Sequence, residues 1–137
     1  MSERIRDVMT TDPVVLQADA SIKEAAAVMK RRDIGDVLVA DGDELIGVVT
    51  DRDLVVRVLA EGMIDARLGD VCSRRLIALA PDDPIQSAVA AMSEAAVRRL
   101  AVVEDGHLVG MVSIGDLAQD RDRNSALAEI SAAPPNS

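Results

Sequence analysis

Two short stretches of the sequence each place a glycine, a hydroxyl side chain and a carboxylate at intervals of three residues. Their members are Gly47, Thr50 and Asp53 in the first stretch, and Gly110, Ser113 and Asp116 in the second. Where such a stretch joins a strand to a helix, the hydroxyl and the carboxylate converge at the start of the helix. A carboxylate there accepts two hydrogen bonds from a ribose diol, while the helix N-terminus favours anions such as phosphate.

The same spacing also has a purely structural interpretation. Thr-x-x-Asp is an ordinary helix-capping pair, in which the side chains bind backbone N–H groups of the first turn. A glycine in the preceding strand allows either a neighbouring strand or a ligand to approach closely. If the motif occurred once, capping would be the better interpretation. Because it occurs twice, ligand binding is a second interpretation. The residues alone leave both interpretations open.

Composition restricts the partners that the chain can bind. The 137 residues carry 15 Lys and Arg against 24 Asp and Glu, for a net charge of −9. That charge disfavours nucleic acid as a partner, because such binding depends on neutralising phosphates. The chain contains no Phe, Tyr or Trp, so the aromatic platforms on which single-stranded bases stack are absent.

The scarcity of cysteine and histidine limits catalysis and metal binding. Cys72 and His107 are the single representatives of their types in the sequence. One cysteine forms no internal disulfide, which suits a reducing compartment, and the pair alone cannot form a structural zinc site. We therefore predict no catalytic residue and no metal site. No apolar run is long enough to span a bilayer and no signal peptide is evident, so a cytoplasmic protein without a membrane partner is expected.

The sequence contains an internal repeat with an offset of 63 residues. The segment Asp7-Val8-Met9-Thr10 corresponds to Asp70-Val71-Cys72-Ser73, and Gly47 corresponds to Gly110. The register holds without a gap as far as Leu54 and Leu117. We predict two structural repeats, at residues 2–62 and 63–119, followed by a polar and partly disordered C-terminal tail at residues 120–137.

Each repeat shows the same order of local signals, strand, helix, strand, strand and helix, which predicts an α+β fold. In the first repeat Ser21 and Glu24 fit a capping box, and in the second Asp83 is the expected cap before Pro84. The last helix of the first repeat has a predicted apolar stripe formed by Leu54, Val55, Val58 and Leu59. One repeat is too small to bury both faces of its sheet. We expect the two repeats to pack sheet to sheet around a pseudo-twofold axis, with one cleft for each repeat.

These motifs resemble those of a known family. Asp7-Val8-Met9-Thr10, the stretch from Gly47 to Leu54 and the stretch from Val97 to Val103 resemble a tandem pair of CBS domains, named for cystathionine β-synthase and also called a Bateman module. The resemblance covers about residues 4–119. Within the family, the chain is most similar to small stand-alone bacterial proteins of the hypoxic-response type. It implies the two-repeat β-α-β-β-α fold and a regulatory role.

The resemblance also implies a ligand and the residues that bind it. CBS pairs typically bind adenosine-containing molecules, so AMP, ADP, ATP or S-adenosylmethionine is the expected ligand, with no obligatory cofactor and with Mg²⁺ only beside a polyphosphate. The adenine slot would come from the first strand of each repeat, and the ribose from the glycine-hydroxyl-carboxylate stretches. The family's basic position before the second strand would bind phosphate. The implied binding residues are Val14, Val15, Gly47, Thr50, Asp53, Ile77, Ala78, Arg98, Arg99, Gly110, Ser113 and Asp116.

The arginines make the two repeats unequal. Arg98 and Arg99 occupy the expected phosphate position of the second repeat, and Arg74 with Arg75 precedes its first strand. The first repeat has Gly35-Asp36 at the position of Arg98-Arg99. The second repeat is therefore expected to bind adenine nucleotides more tightly. The alternative is that Arg98 and Arg99 are an ordinary solvated pair on the surface.

The expected function is that of a non-catalytic sensor that binds an adenosine ligand, forms a homodimer through the second helices of its repeats, and regulates a protein that the sequence does not identify. The alternative is a ligand-independent structural or dimerisation module. An enzyme is the weakest of the three classes, because the carboxylates fit ribose binding or capping and the chain has one histidine.

Overall fold

The computed structural model describes residues 3–121, and these alternate strands and helices in the order that the sequence predicts. The elements that derive from the first repeat are a 3₁₀ turn (Ile5–Asp7), β1 (Thr10–Thr11), β2 (Val15–Gln17), α1 (Ile22–Arg32), β3 (Asp36–Asp41), β4 (Glu44–Thr50), α2 (Asp51–Asp53) and a π-helical segment (Leu54–Leu59). Those of the second are α3 (Leu68–Val71), β5 (Ile77–Leu79), α4 (Ile85–Ala95), β6 (Arg99–Glu104), β7 (His107–Ser113) and α5 (residues 114–121). Mixed helices and sheets confirm the α+β class.

The chain divides into two compact units that do not coincide with the two sequence repeats. Within the described residues, the first unit comprises residues 13–76, and the second comprises residues 3–12 together with residues 77–121. Each repeat therefore contributes its first residues to the unit built mainly by the other repeat. We call these parts, residues 3–12 of the first repeat and 63–76 of the second, the opening segments. The boundaries at residues 2–62 and 63–119 describe duplication in the sequence and stay a prediction about the repeats. Of the predicted tail, residues 122–137 lie outside the described part, and residues 120–121 belong to α5.

The first unit contains a three-stranded sheet in the order β2-β3-β4. Strand β2 runs parallel to β3, and β3 runs antiparallel to β4 with a register shift between Val39 and Ala40. Residues Val37 to Ala40 of β3 are all buried. Helix α1 packs Ala25 and Met29 into the same core.

The second unit contains a four-stranded sheet in the order β1-β7-β6-β5. Strands β5 and β6 are parallel, and β6 and β7 form the hairpin that corresponds to β3 and β4. Its extra strand β1 comes from the opening segment and pairs with Met111 and Gly110 of β7. Ile5 of the same segment is fully buried in the core of this unit. The core of this unit thus includes a residue from the opening segment of the first repeat.

The boundaries of the two long helices have local causes. The Ser21 hydroxyl accepts a hydrogen bond from the Glu24 N–H at 3.0 Å, which caps α1 as predicted. Helices α1 and α4 are followed by Asp33 and Ala96, whose φ angles of 52° and 54° lie in the left-handed region and end the helices. The prediction that Asp83 caps α4 is wrong, because its carboxylate binds the Ala80 N–H and Pro84 itself occupies the cap position.

The helix after β4 departs from the predicted apolar stripe. Its segment Leu54–Leu59 is π-helical, with hydrogen bonds that span five residues, such as the Ala60 N–H to the Val55 carbonyl at 3.0 Å. The wider turn separates residues that an α-helix would align on one face. Val58 is buried, whereas Val55 and Leu59 are 58% and 62% exposed.

Within residues 3–121, no helix combines the length and the apolar character that crossing a bilayer requires.

Candidate functional site

The first glycine-hydroxyl-carboxylate stretch lies where β4 passes into α2. The Thr50 hydroxyl accepts a hydrogen bond from the Asp53 N–H at 3.1 Å, and Oδ2 of Asp53 accepts one from the Thr50 N–H at 2.9 Å. This reciprocal arrangement is a capping box, so the structural interpretation of the motif is correct. The box uses Oδ2 of the Asp53 carboxylate and holds the side chain at the N-terminus of α2. This geometry is compatible with a further hydrogen bond to Oδ1.

The second stretch repeats this geometry at the junction of β7 and α5. The Ser113 hydroxyl accepts from the Asp116 N–H at 3.1 Å, and Oδ2 of Asp116 accepts from the Ser113 N–H at 2.9 Å. Both side-chain pairs are half-buried. The two units thus present the same hydroxyl and carboxylate at the same kind of strand-to-helix junction, as the duplication predicts.

The segment before each hairpin reaches the same junction. The N–H of Asp51 donates to the Gly35 carbonyl at 2.9 Å, and the N–H of Ile114 donates to the Arg98 carbonyl at 2.9 Å. The following residue then pairs across the hairpin, so that Asp36 lies opposite Thr50.

The equivalent pair in the second unit is Arg99 and Ser113. Arg98 and Arg99 therefore adjoin the Ser113–Asp116 capping box, with Arg98 exposed and Arg99 half-buried. In the first unit the same places hold an uncharged glycine and an acidic residue. In the second unit the structure places the backbone of Arg98 and Arg99 beside the junction that carries the Ser113 hydroxyl and the Asp116 carboxylate.

Gly47 and Gly110 allow another segment of backbone to approach their strands closely. A Cβ at Gly47 would collide with the carbonyl oxygen of Ser73 and lie 3.0 Å from the Cys72 sulfur. A Cβ at Gly110 would lie 2.6 Å from the Met9 sulfur and 2.9 Å from the Thr10 carbonyl oxygen. Both contacts come from the opening segments, which pair with β4 and β7. Of the two expected reasons for these glycines, the approach of a strand is the one that the structure shows.

The residues predicted to form the adenine slots lie on other strands of the same sheets. Val15 is in β2 and pairs with Leu38, while the Val14 carbonyl accepts from the Leu38 N–H at 2.9 Å. Ile77 and Ala78 are in β5 and pair with β6. In each unit one strand separates this slot strand from the strand that carries the glycine. The slot residues are therefore about two strand spacings, or about 10 Å, from their own capping box.

Two further arginines adjoin the sheet of the first unit. Ser73 forms a bridge with Val48 of β4, through hydrogen bonds of 3.0 and 2.9 Å. Arg74 follows at once, and its Nη2 donates to the Gly69 carbonyl at 3.0 Å. By position in the sequence, Arg74 and Arg75 belong to the second repeat, but they lie in the first compact unit. No local pattern in the sequence specifies which unit these segments join.

The single cysteine, Cys72, directly precedes Ser73, which forms the bridge to Val48. Cys72 is buried and unpaired, and burial raises the pKa of its thiol, although the nearby Arg74 and Arg57 act in the opposite direction. A thiol with a raised pKa is a poor nucleophile. Within residues 3–121, no three His, Cys, Asp or Glu side chains cluster in a way that could hold a metal ion.

Each half of the chain carries the capping box and the hairpin, and each half also matches a known domain. The family model of the CBS domain matches the chain twice, at residues 5–60 and 68–121. The chain belongs to the CBS-domain family. The resemblance that the sequence motifs indicated is therefore correct, and the pair of repeats is a CBS pair.

Similar proteins include small CBS proteins of comparable length. The CBS domain-containing protein YhcV of Bacillus subtilis is 34% identical over 132 residues, which cover 93% of this chain and 94% of that protein. Hypoxic response protein 1 of Mycobacterium tuberculosis is 32% identical over 117 residues, which cover 83% of this chain and 82% of that protein. These relatives match the hypoxic-response type of CBS pair.

Solved structures agree with the fold. The crystal structure of Hypoxic Response Protein I, with two coordinated zinc ions, superposes with a TM-score of 0.71 at 31% identity, covering 85% of this chain and 97% of that one. The CBS pair of protein MJ0100, in complex with 5′-methylthioadenosine and S-adenosyl-L-methionine, superposes with a TM-score of 0.78 at 23% identity, covering 88% and 97%. The second comparison bears on the fold alone.

Proposed function

We propose that this CBS pair is a non-catalytic regulatory module that binds an adenosine-containing ligand and acts as a homodimeric sensor in the cytoplasm. AMP, ADP, ATP and S-adenosylmethionine are the candidate ligands. The observation that carries the proposal is the position of Arg98 and Arg99 at the start of β6, where the backbone adjoins the Ser113–Asp116 capping box. Capping alone requires the hydroxyl and the carboxylate and gives no reason for two guanidinium groups at the same junction.

The junction supplies the groups that a nucleotide requires. The Asp116 carboxylate accepts hydrogen bonds from a ribose diol, and the Ser113 hydroxyl lies beside it. Arg99 offers paired N–H donors that match phosphate geometry, and the first N–H groups of α5 add a favourable dipole. Ile77 and Ala78 would form an apolar face for adenine. These groups bind and orient a ligand, and they include no nucleophile or general base placed for a reaction.

The protein MJ0100 provides a precedent at the level of the fold, since its CBS pair holds two adenosine derivatives. The crystal structure of Hypoxic Response Protein I contains two coordinated zinc ions. The present chain has one His and one Cys, so its residues favour the nucleoside over the zinc as ligand. Mg²⁺ is expected only as the companion of a bound polyphosphate.

The substitution Arg99→Ala tests the proposal. Charge-assisted hydrogen bonds to phosphate contribute about 1.5 to 3 kcal/mol, so the variant should bind ADP or ATP about tenfold to 100-fold more weakly. Calorimetric titration measures this loss, and thermal melting checks that the variant still folds. Arg31→Ala, which removes an exposed arginine at the end of α1, is the matched control and should bind like the wild type. Equal affinity of Arg99→Ala and the wild type would refute the assigned role.

A ligand-independent dimerisation module is the second candidate, and exposed apolar side chains favour it. Val55, Val56, Leu59 and Ile64 are each at least half exposed in the first unit. The second unit has an apolar groove of about 670 Å³ between α4 and α5, lined in part by Val89, Ile114 and Leu117. A thermal-shift panel with AMP, ATP and S-adenosylmethionine separates the candidates, because a ligand that binds only the native state raises its melting temperature.

A further inference from the structure

The apolar groove between α4 and α5 of the second unit has walls that are left open to solvent. Val89 of α4 and Ile114 of α5 line the groove and are 52% and 47% exposed. Met92, which is buried, and Leu117, which is half-buried, line it as well. Because apolar surface in contact with water is unfavourable, covering this groove would stabilise the unit.

The first unit has a buried apolar side chain at a position where the second unit has a charged one. Val58, in the π-helical segment after β4, is buried in the same hydrophobic core as Val28 and Met29 of α1. The duplication places Arg121 at the position of Val58. Arg121 is exposed and lines the groove. At this position the helix of the second unit therefore contributes no apolar side chain to the core.

The exposed apolar walls of the groove are also particular to the second repeat. The duplication pairs Val89 with Ala26, a smaller residue, and Ile114 with Asp51, a charged one. The second repeat thus has large apolar residues at two positions where the first repeat does not. This difference suits the binding of an additional apolar segment that follows only the second repeat.

The chain that continues from α5 carries such a segment within reach of the groove. Leu127 and Ile130 follow Arg121 after six and nine residues, and their spacing of three residues places two side chains on one face of a helical turn. Residues 122–125 between them and α5 are polar, and their number fits the connection of about two to five residues that joins antiparallel helices. Six residues extend over at most about 20 Å, whereas the eight residues of α5 are about 12 Å long, so Leu127 can reach any part of the groove.

We propose that residues 126–130 bind in the groove between α4 and α5 of the same chain. Leu127 and Ile130 are the side chains that enter the groove, and they cover its exposed walls at Val89 and Ile114. The covalent connection favours this occupant over a second copy of the chain, because it holds the segment at a high effective concentration beside the groove. The inference concerns the completion of the second unit and needs no nucleotide, so its failure would leave the proposed ligand site intact.

Amide hydrogen exchange of the full chain without nucleotide, followed by mass spectrometry, tests the proposal. Leu127→Asp places a charge in the apolar groove and should release the segment, so the amides of α5 should exchange about tenfold to 100-fold faster than in the wild type. Asn136→Asp adds the same charge beyond the apolar residues and is the matched control, which should exchange like the wild type. Exchange in β6 should be the same in all three proteins, which checks that the fold is retained. Equal exchange of α5 in Leu127→Asp and the wild type would overturn the proposal.

A pair of engineered cysteines identifies which chain occupies the groove. In the full chain, Val89→Cys combined with Leu127→Cys and oxidised with copper phenanthroline should form a disulfide within one chain, detected by non-reducing electrophoresis and peptide mass mapping. Cys72 is buried and stays unchanged. Val89→Cys combined with Asn136→Cys is the matched control and should react at least tenfold more slowly. A disulfide between two chains would assign the groove to a second copy, and equal rates for the two pairs would show that the segment does not bind there; either result overturns the proposal.

Discussion

The two capping-box carboxylates show that structural and binding roles are compatible in one side chain. Asp53 and Asp116 each use Oδ2 to accept a hydrogen bond from the backbone N–H of the residue that precedes the helix. This bond fixes the side chain in one orientation before any ligand arrives, which lowers the entropy that a ligand must offset on binding. The capping bond therefore also orients the carboxylate for the proposed contact with ribose.

The substitution Gly47→Ala tests the close approach of the opening segment in the first unit. The added methyl would collide with the Ser73 carbonyl oxygen, which is backbone and accepts a hydrogen bond from the Val48 N–H at 3.0 Å. Overpacking of this kind costs about 1 to 3 kcal/mol of unfolding free energy. Urea denaturation followed by circular dichroism measures the loss.

Gly115→Ala is the matched control for that experiment. A Cβ at Gly115 would meet its nearest neighbour, the Ser113 hydroxyl, at 3.5 Å, which is an ordinary contact. Because Gly115 lies in α5, alanine should leave stability unchanged or raise it by about 0.5 to 1 kcal/mol. Loss of stability in Gly115→Ala and none in Gly47→Ala would contradict the packing that the structure shows around Gly47.

At the level of single residues, local spacing predicted the capping boxes but not the neighbours of the glycines. Thr50 and Asp53 are three residues apart, so their contact follows from the helix itself. The contact of Gly47 with Ser73 joins residues far apart in sequence and depends on which unit the opening segment enters. The alternating pattern of a strand does not specify its partner, so the position of Arg74 required the structure.

At the scale of elements, the opening 3₁₀ turn is attached to the second unit by charged and backbone contacts. Arg6 forms an ion pair with Asp82 at 2.7 Å, and the Ile5 N–H donates to the Asp83 carbonyl at 3.0 Å. Oδ2 of Asp7 accepts from the Arg4 and Glu3 N–H groups at 3.0 and 3.3 Å. Those backbone bonds lower the pKa of Asp7 below its usual value, with the bond to Arg4 the larger cause.

A lowered pKa means that Asp7 stabilises the folded chain most when it is ionised. Its contribution is therefore present above the ordinary aspartate pKa of about 4 and is lost as the pH falls through the lower folded value. We expect Asp7→Asn to be less stable than the wild type at pH 7 and the two to converge in acid. Urea unfolding at a series of pH values measures the difference. A difference between Asp7→Asn and the wild type that grows in acid would contradict the argument.

The elements themselves were largely predictable because each has a local signal. The hairpin turns, the cap at Ser21 and the apolar spacing of α1 and α4 all act within a few residues. The π-helical winding of Leu54–Leu59 was not predictable from the apolar spacing, since Leu54, Val55, Val58 and Leu59 also fit an α-helix. Residues that would have shared one buried face are divided, and Val55 and Leu59 become exposed.

At the scale of the whole chain, the net charge of −9 opposes the binding of any polyphosphate. Local arginine pairs offset this repulsion only over short distances, about 8 to 10 Å at physiological salt. Arg98 and Arg99 can therefore offset the repulsion only for a phosphate close to the Ser113–Asp116 junction. Apolar surface is present in both units, with exposed side chains after β4 in the first unit and a groove between α4 and α5 in the second.

These apolar surfaces lead to a prediction about self-association. Leu59 is 62% exposed, so burying it against a second copy would remove apolar area from water at little cost to the fold of the single chain. We expect the wild type to be a dimer in light scattering and Leu59→Asp to shift the equilibrium at least tenfold toward the monomer, since a charge in an apolar interface costs more than about 1.4 kcal/mol. Gln86→Asp, which adds the same charge at an exposed polar position of α4, should remain a dimer. A Leu59→Asp variant that dimerises like the wild type would show that a different surface joins the copies, and a wild type that stays monomeric at high concentration would remove the homodimer from the proposed function.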